Sequence, residues 1–400
     1  MQRNQGSLWW TWGVMLAVVL WPVPSVAAED VPPPAAQTAS ADDAAKMVWG
    51  GTVEAVWGYS LARPSNGVIN GRYYDIRHNL PGLQAALLTN TWEAGAASGT
   101  LQLQFGVLSE MFWASERKLE QDLLWRLLQE ATTKWTTPVR GLSLEGGVYN
   151  TPFGPEYNVV YLNWNTSTSN LFALMPYQIG GFRLNYQFAE GWNVRAGVYN
   201  GWDRIVTDNN DDKSVMLMLD WEDPRDEENY FYLSYMAGNE RNTGDQRGAF
   251  LRHTIDVYGQ WHAHPRLYLR GHILAGMEAT RSGGSDGWFG AAVFGRYDPT
   301  PWLFVAARAD GVRGFAAADG DNWLYASYLN RRDQATTVLS GTLTVAVQTA
   351  KHATLRLEGR HDWADFDYFF GGTVLRNAAG AAMVNRTQQT TLSLALATWF

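Results

Sequence analysis

The 400-residue chain contains no cysteine. That excludes disulfide bracing, thiolate metal sites and cysteine nucleophiles. Charge is also sparse: charged residues are 18% of the chain, against about 25% in ordinary soluble domains. The charge present leans negative, with 31 Lys and Arg against 39 Asp and Glu. No basic patch stands out, which argues against nucleic acid as a partner. Past residue 28 no segment approaches about 18 unbroken apolar residues, so a helical membrane protein is excluded.

The one long apolar run lies at the start. Arg3 precedes Leu8 to Leu20, followed by Pro22, Pro24 and the small residues Ser25 to Ala28. A charged segment, a short apolar segment and a small-residue cleavage site read as a secretory signal over residues 1–28. The run is too short for a spanning helix. Residues 29–47, rich in Ala, Pro and Asp, read as a flexible periplasmic linker, which leaves 48–400 as the folded domain.

Within that domain the dominant signal is a period of two. Leu101, Leu103, Phe105 and Val107 alternate with Gln102, Gln104 and Gly106. Leu142, Leu144 and Val148 stand against Ser143, Glu145 and Tyr149, and Phe182, Leu184, Tyr186 and Phe188 against Arg183, Asn185 and Gln187. Such alternation makes a sheet with one apolar and one polar face. Sixteen segments of this kind run from 52–60 to 389–400, most of them long enough to cross a bilayer at a tilt. Connections alternate between long or polar and comparatively short, as in outer-membrane barrels. A β-sandwich would have to bury the apolar faces together, and no fixed repeat supports a solenoid. The expected fold is therefore all-β, a transmembrane antiparallel up-and-down barrel of about sixteen strands with short periplasmic turns and long extracellular loops.

The final stretch, LSLALATWF (392–400), reads as the closing strand, with Phe400 in an interfacial aromatic girdle. A terminal Phe on an alternating strand also resembles the signal that outer-membrane barrels present to their assembly machinery. Outer-membrane lipid, that machinery and small hydrophilic solutes are the expected partners; a homo-trimer is left open.

Several stretches together resemble the OmpL-like β-barrel porins of Gram-negative bacteria. They are VWGYSLARPSNGVINGRYYDIRHN (56–79), GGVYNTPFGPEYN (146–158), LMPYQIGGFRLNYQF (174–188) and VRAGVYNGWDRIVTDNNDDKS (194–214). The resemblance is clearest over residues 50–240. It implies an outer-membrane barrel with pore activity and supplies neither catalytic residues nor a defined solute.

On the inward register the alternation places Arg183, Arg195, Arg252, Arg270, Arg296, Arg308, Arg356 and Arg360. The acids in the same registers are Glu54, Glu145, Asp220, Asp256, Glu278, Asp310, Glu358 and Asp362. Facing rows of guanidinium and carboxylate would either sort solutes by charge or form ion pairs that stiffen the wall. If they line the passage, replacing Arg195 and Arg308 with Glu moves the reversal potential towards cations. For a constriction the best candidate is the loop from Thr151 to Tyr177, with Phe153, Glu156 and Tyr157; the alternative is an extracellular cap. The loop from Trp363 to Gln388 is the second candidate.

Residues 116–130 have helical spacing at Leu119, Leu123, Leu124, Leu127 and Leu128 and suggest a short packing helix. Asp208 to Asp212 resembles the start of a calcium loop but has Lys213 where Gly belongs, and reads as a solvated loop. His262 and His264 lack a third ligand. No nucleophile elbow occurs, and His361 and Asp362, adjacent on a strand, face opposite ways. No cofactor, metal site or enzymatic activity is expected. The expected function is a porin-like channel for small hydrophilic solutes through a polar lumen. A non-conducting barrel whose extracellular loops bind a ligand or partner is the alternative.

Overall fold

The computed structural model describes residues 45–115, 123–205, 208, 210–240, 251–280, 284–315 and 335–400. The side chains of 112–115 and of 123 and 124 are not described. The expected signal segment and nearly all of the linker lie outside the described residues, as does part of the 116–130 stretch and Asn209 of the calcium-like loop.

Sixteen antiparallel strands close into one barrel in sequential order. They are β1 (Lys46–Ser60), β2 (Gly82–Ala94), β3 (Ala97–Phe105), β4 (Leu128–Thr136), β5 (Leu142–Asn150), β6 (Gln178–Ala189), β7 (Trp192–Tyr199) and β8 (Ser214–Glu222). The second half follows as β9 (Tyr230–Asn239), β10 (Leu251–His264), β11 (Leu267–Ala279), β12 (Ser285–Thr300), β13 (Leu303–Phe315), β14 (Thr336–Ala350), β15 (Ala353–Ala364) and β16 (Gln388–Trp399). β1 begins at Lys46, so Lys46 and Met47, read as linker from sequence, belong to the first strand.

Closure is made by β1 and β16, in register from Thr52 opposite Trp399 to Ser60 opposite Thr391. A last pair of backbone hydrogen bonds joins Gly51 and Phe400, at 3.1 and 3.3 Å. Gly51 is required there: a Cβ would stand 2.6 Å from the Leu87 carbonyl oxygen and 2.9 Å from the Phe400 ring.

The alternation decides which side chains face out. Phe182, Leu184, Leu343, Leu357 and Leu394 are exposed on the outer surface, while their strand neighbours Arg183, Thr342, Arg356, Glu358 and Ser393 point inward. A continuous apolar exterior is what acyl chains require, because a closed sheet leaves no unpaired backbone edge in lipid. Aromatic side chains gather towards the rims. Trp135, Phe188, Trp261, Tyr297, Trp302 and Phe400 mark the end that carries the start of β1 and the finish of β16; Phe105, Phe289, Phe315 and Trp363 lie towards the other.

Two local expectations are corrected. The segment 100–108 does not continue as strand through Val107: β3 stops at Phe105, and Val107–Ser115 form a helix, α1. Gly106 makes the turn at φ +93°, where a Cβ would meet the Gln84 carbonyl oxygen at 2.9 Å. Of the 116–130 stretch, residues 116–122 lie outside the described residues; Leu123–Leu127 form a 3₁₀ turn and Leu128 already opens β4, so the expected helix does not run through to 130.

Candidate functional site

The inside of the barrel is shaped by the segment between β5 and β6, residues 151–177, which crosses the interior rather than the rim. Its backbone explains how. Gly154, with φ +71°, donates its N–H to Asp256 near the middle of β10 at 2.9 Å, and a Cβ there would stand 2.8 Å from Met175 Sδ. The next carbonyl, of Pro155, accepts from Arg270 at 3.0 Å. Further on, Glu54 of β1 accepts from two successive amides, Val160 and Tyr161, at 2.9 and 3.0 Å. Glu358 of β15 repeats the device with Thr166 and Ser167, at 2.6 and 3.0 Å. Asp310 of β13 takes the Asn170 amide at 2.8 Å.

Guanidinium groups satisfy the segment's carbonyls. Arg356 donates to Asn163 at 2.7 Å and Tyr161 at 3.2 Å, Arg308 to Ser167 and Thr168, and Arg360 to Thr168. A loop led into a barrel must pair every backbone group it removes from water. Here the wall supplies acids for the N–H groups and arginines for the carbonyls.

The arginines and acids expected on the inward face therefore divide. Arg270, Arg308, Arg356, Asp256 and Glu358 are buried and bound to the segment; the Arg308 side chain is 0% exposed. Arg252 pairs with Glu278 across β10 and β11 and lies 4.9 Å over the Trp202 ring. Arg183 pairs with Glu145 at 2.7 Å and stands over Tyr149; Arg195 pairs with Asp220 at 3.1 Å. Both keep some exposure, 14% and 25%. Arg296 binds Asp298 at 2.7 Å and Arg360 binds Asp362 at 2.7 Å.

Among the three loop candidates, Phe153 is buried. Glu156 accepts from Ser169 N–H at 2.9 Å and from Arg308 at 3.2 Å. Tyr157 is 55% exposed. The second candidate loop, 365–387, also sends side chains inward: Phe366, Phe369 and Phe370 are buried.

Two features were missed from sequence. The interior is not uniformly polar. Met216, Met218, Met236, Leu274, Trp288 and Phe294 point inward and pack with Trp164, Leu171, Phe172 and Leu174 of the crossing segment. Continuous apolar runs such as VMLML (215–219), in place of alternation, carry that signal. The first long connection also enters the barrel. Arg72 is buried there, 3.1 Å from Asp362 and 3.6 Å from Asp75, and Tyr73 packs against Phe172 and Tyr177. No local pattern announces this.

Among the described residues a cavity of about 580 Å³ lies between the crossing segment and the wall formed by β4, β5 and β7 to β10. Its lining runs from Glu130 and Asn150, at one end of the barrel, past Arg195 and Met218 to Glu222 and Glu227 beside the β8–β9 turn at the other. Asp226 of that turn lies 2.8 Å from Nδ1 of His262, near the end of β10, and this hydrogen bond holds the Asp226 carboxyl below its ordinary value. His361 bonds to Thr390, and Asp362 reaches Arg360 and Arg72 on the opposite face, so the adjacent pair does not meet.

A closed sixteen-strand barrel with an apolar exterior and a long segment folded through its interior defines the porin class. Residues 46–400 match the family described as "Putative beta-barrel porin-2, OmpL-like", and the chain belongs to that family of outer-membrane barrels. Solved structures share the fold at low identity. OmpT of Vibrio cholerae has a TM-score of 0.56 at 10% identity, covering 90% of this chain and 98% of its own. The outer-membrane channel DcaP of Acinetobacter baumannii has 0.55 at 11%, covering 89% and 97%. An anion-selective porin from Comamonas acidovorans has 0.52 at 10%, covering 89% and 100%. Curated proteins give no sequence match.

Proposed function

We propose that the barrel is a passive channel for small hydrophilic solutes, narrowed by residues 151–177. One observation carries this reading. The crossing segment is held to the wall from near the middle of β10, β13 and β15, yet leaves a cavity whose lining reaches towards both ends of the barrel. Glu156 and Tyr157 of the segment lie on that cavity, as do Arg195, Glu130 and Glu222 of the wall. The buried arginines act differently. Arg270, Arg308 and Arg356 hold the segment in place, so they set the width of the passage, and Arg195 sits where charge meets the solute.

On this proposal the protein is exported, inserted through its final strand ending in Phe400, and works without a catalytic step. Assembly as a trimer, a form in which OmpT of Vibrio cholerae has been solved, belongs to the proposal and is checked by the native mass of the folded protein in detergent.

The test is conductance in planar bilayers. Discrete ohmic steps support the channel. Silence from protein shown to be folded would favour a non-conducting barrel whose loops bind a ligand.

A further inference from the structure

We infer that the passage prefers cations, and among them small solutes carrying an organic ammonium group. This rests on the channel reading above and assigns its selectivity and solute class.

The first observation is the charge that the cavity presents. Its lining includes Glu130, Glu222 and Glu227, and the only guanidinium among the described lining residues is Arg195. Arg195 is already offset by Asp220 at 3.1 Å. Glu156 also lines the cavity but is spent on Ser169 and Arg308. The inward face as a whole carries many arginines. The crossing segment absorbs Arg308, Arg356 and Arg360, each buried and bonded to its carbonyls. Folding the loop inward takes up these arginines together with Glu54, Asp256, Asp310 and Glu358, and leaves Glu130, Glu222 and Glu227 against one paired arginine on the open side. Two of these, Glu222 and Glu227, are exposed beside the β8–β9 turn at one mouth. A narrow, low-dielectric passage lined by one sign of charge concentrates the opposite ion.

The second observation is independent of charge. Tyr157, Tyr230, Tyr232 and Tyr258 line the same cavity. Tyr232 and Tyr258 stack at 4.8 Å, and Tyr230 stands edge-on to both. Tyr232 donates its hydroxyl to Glu222, which places a carboxylate against the ring cluster. Ring faces beside carboxylates attract an alkylammonium ion more than a strongly hydrated metal ion, because the cation sheds little water to lie on a ring. A cavity of about 580 Å³ falls within the range of small-molecule sites, about 300–1,000 Å³.

The test is the reversal potential of single channels. Under a KCl gradient the wild-type channel is expected to reverse on the cation side, and Glu222→Gln with Glu227→Gln to lose most of that preference. A reversal potential at zero, or on the anion side, overturns the inference while leaving the channel intact. Absence of conductance from folded protein overturns the channel reading instead, and the inference with it. Should the double variant not fold, the wild-type value alone decides the sign. With K⁺ on one side and tetramethylammonium on the other, the wild type is expected to pass tetramethylammonium better than its free mobility predicts, and Tyr157→Leu to lower the ratio. Tyr157 is 55% exposed, so its truncation spares the packing. A wild-type ratio at or below the mobility ratio removes the organic-ammonium part.

Discussion

At the scale of single residues the structure turns on acids that serve backbone amides. Glu358 is the clearest. It accepts from Thr166 and Ser167 and also from Thr344, at 2.8 Å, and it is 1% exposed. Glu358→Ala leaves two amides and a hydroxyl without their acceptor. Stranding a buried polar group costs about 1–3 kcal/mol, so thermal unfolding in detergent should show a loss of at least that size. On the outer surface the sign of the environment reverses. Leu343, 56% exposed at the middle of β14, faces acyl chains. Leu343→Arg should destabilise the folded barrel by about 2–4 kcal/mol when unfolding is measured in lipid. At the seam, Gly51→Val would drive side-chain atoms into the Leu87 carbonyl and the Phe400 ring. The expected outcome is a lower yield of folded barrel in refolding followed by gel mobility, with residues away from the seam unaffected.

At the scale of elements, strands and loops were legible to different degrees. The strands could be read because lipid outside and a filled interior inside impose a period of two on nearly every segment. The match extends to the closing strand, where Leu392, Leu394 and Leu396 face out and Ser393, Ala395 and Ala397 face in. Irregular points escaped the pattern: the Gly106 turn into α1 replaced the expected end of a strand. The path of 151–177 could not be read at all beyond its length and its Pro, Phe and Tyr content. Many of its bonds join residues far apart in the chain, such as Val160 to Glu54, 106 positions apart, and Asn163 to Arg356, 193 positions apart. Nothing in a local window distinguishes an arginine that lines water from one that holds a loop. Arg308 and Arg195 look alike in sequence and differ in the fold. Arg308→Ala should therefore loosen the segment and raise single-channel conductance. Arg195→Glu should leave conductance nearly unchanged and shift the reversal potential towards cations.

At the scale of the whole molecule, the interior is shared between packing and open space. The crossing segment and the first and last long connections pack an apolar core that draws on both halves of the wall, and they take bonded charges from β1, β10, β13 and β15. A cavity lies between the crossing segment and β4, β5 and β7 to β10. The sparse charge of the chain is consistent with this division, because much of the charge is spent in pairs inside. Closure by β1 and β16 ties the barrel together, and the packed core holds the crossing segment in place, as the proposed channel requires.

The most direct measurement is single-channel conductance of the wild type beside the double variant Glu54→Gln and Glu358→Gln, which weakens both two-amide clasps. The account predicts resolved steps for the wild type and larger or fluctuating steps for the variant. Folded variant protein with unchanged, steady steps would contradict it, since the crossing segment would then not set the aperture.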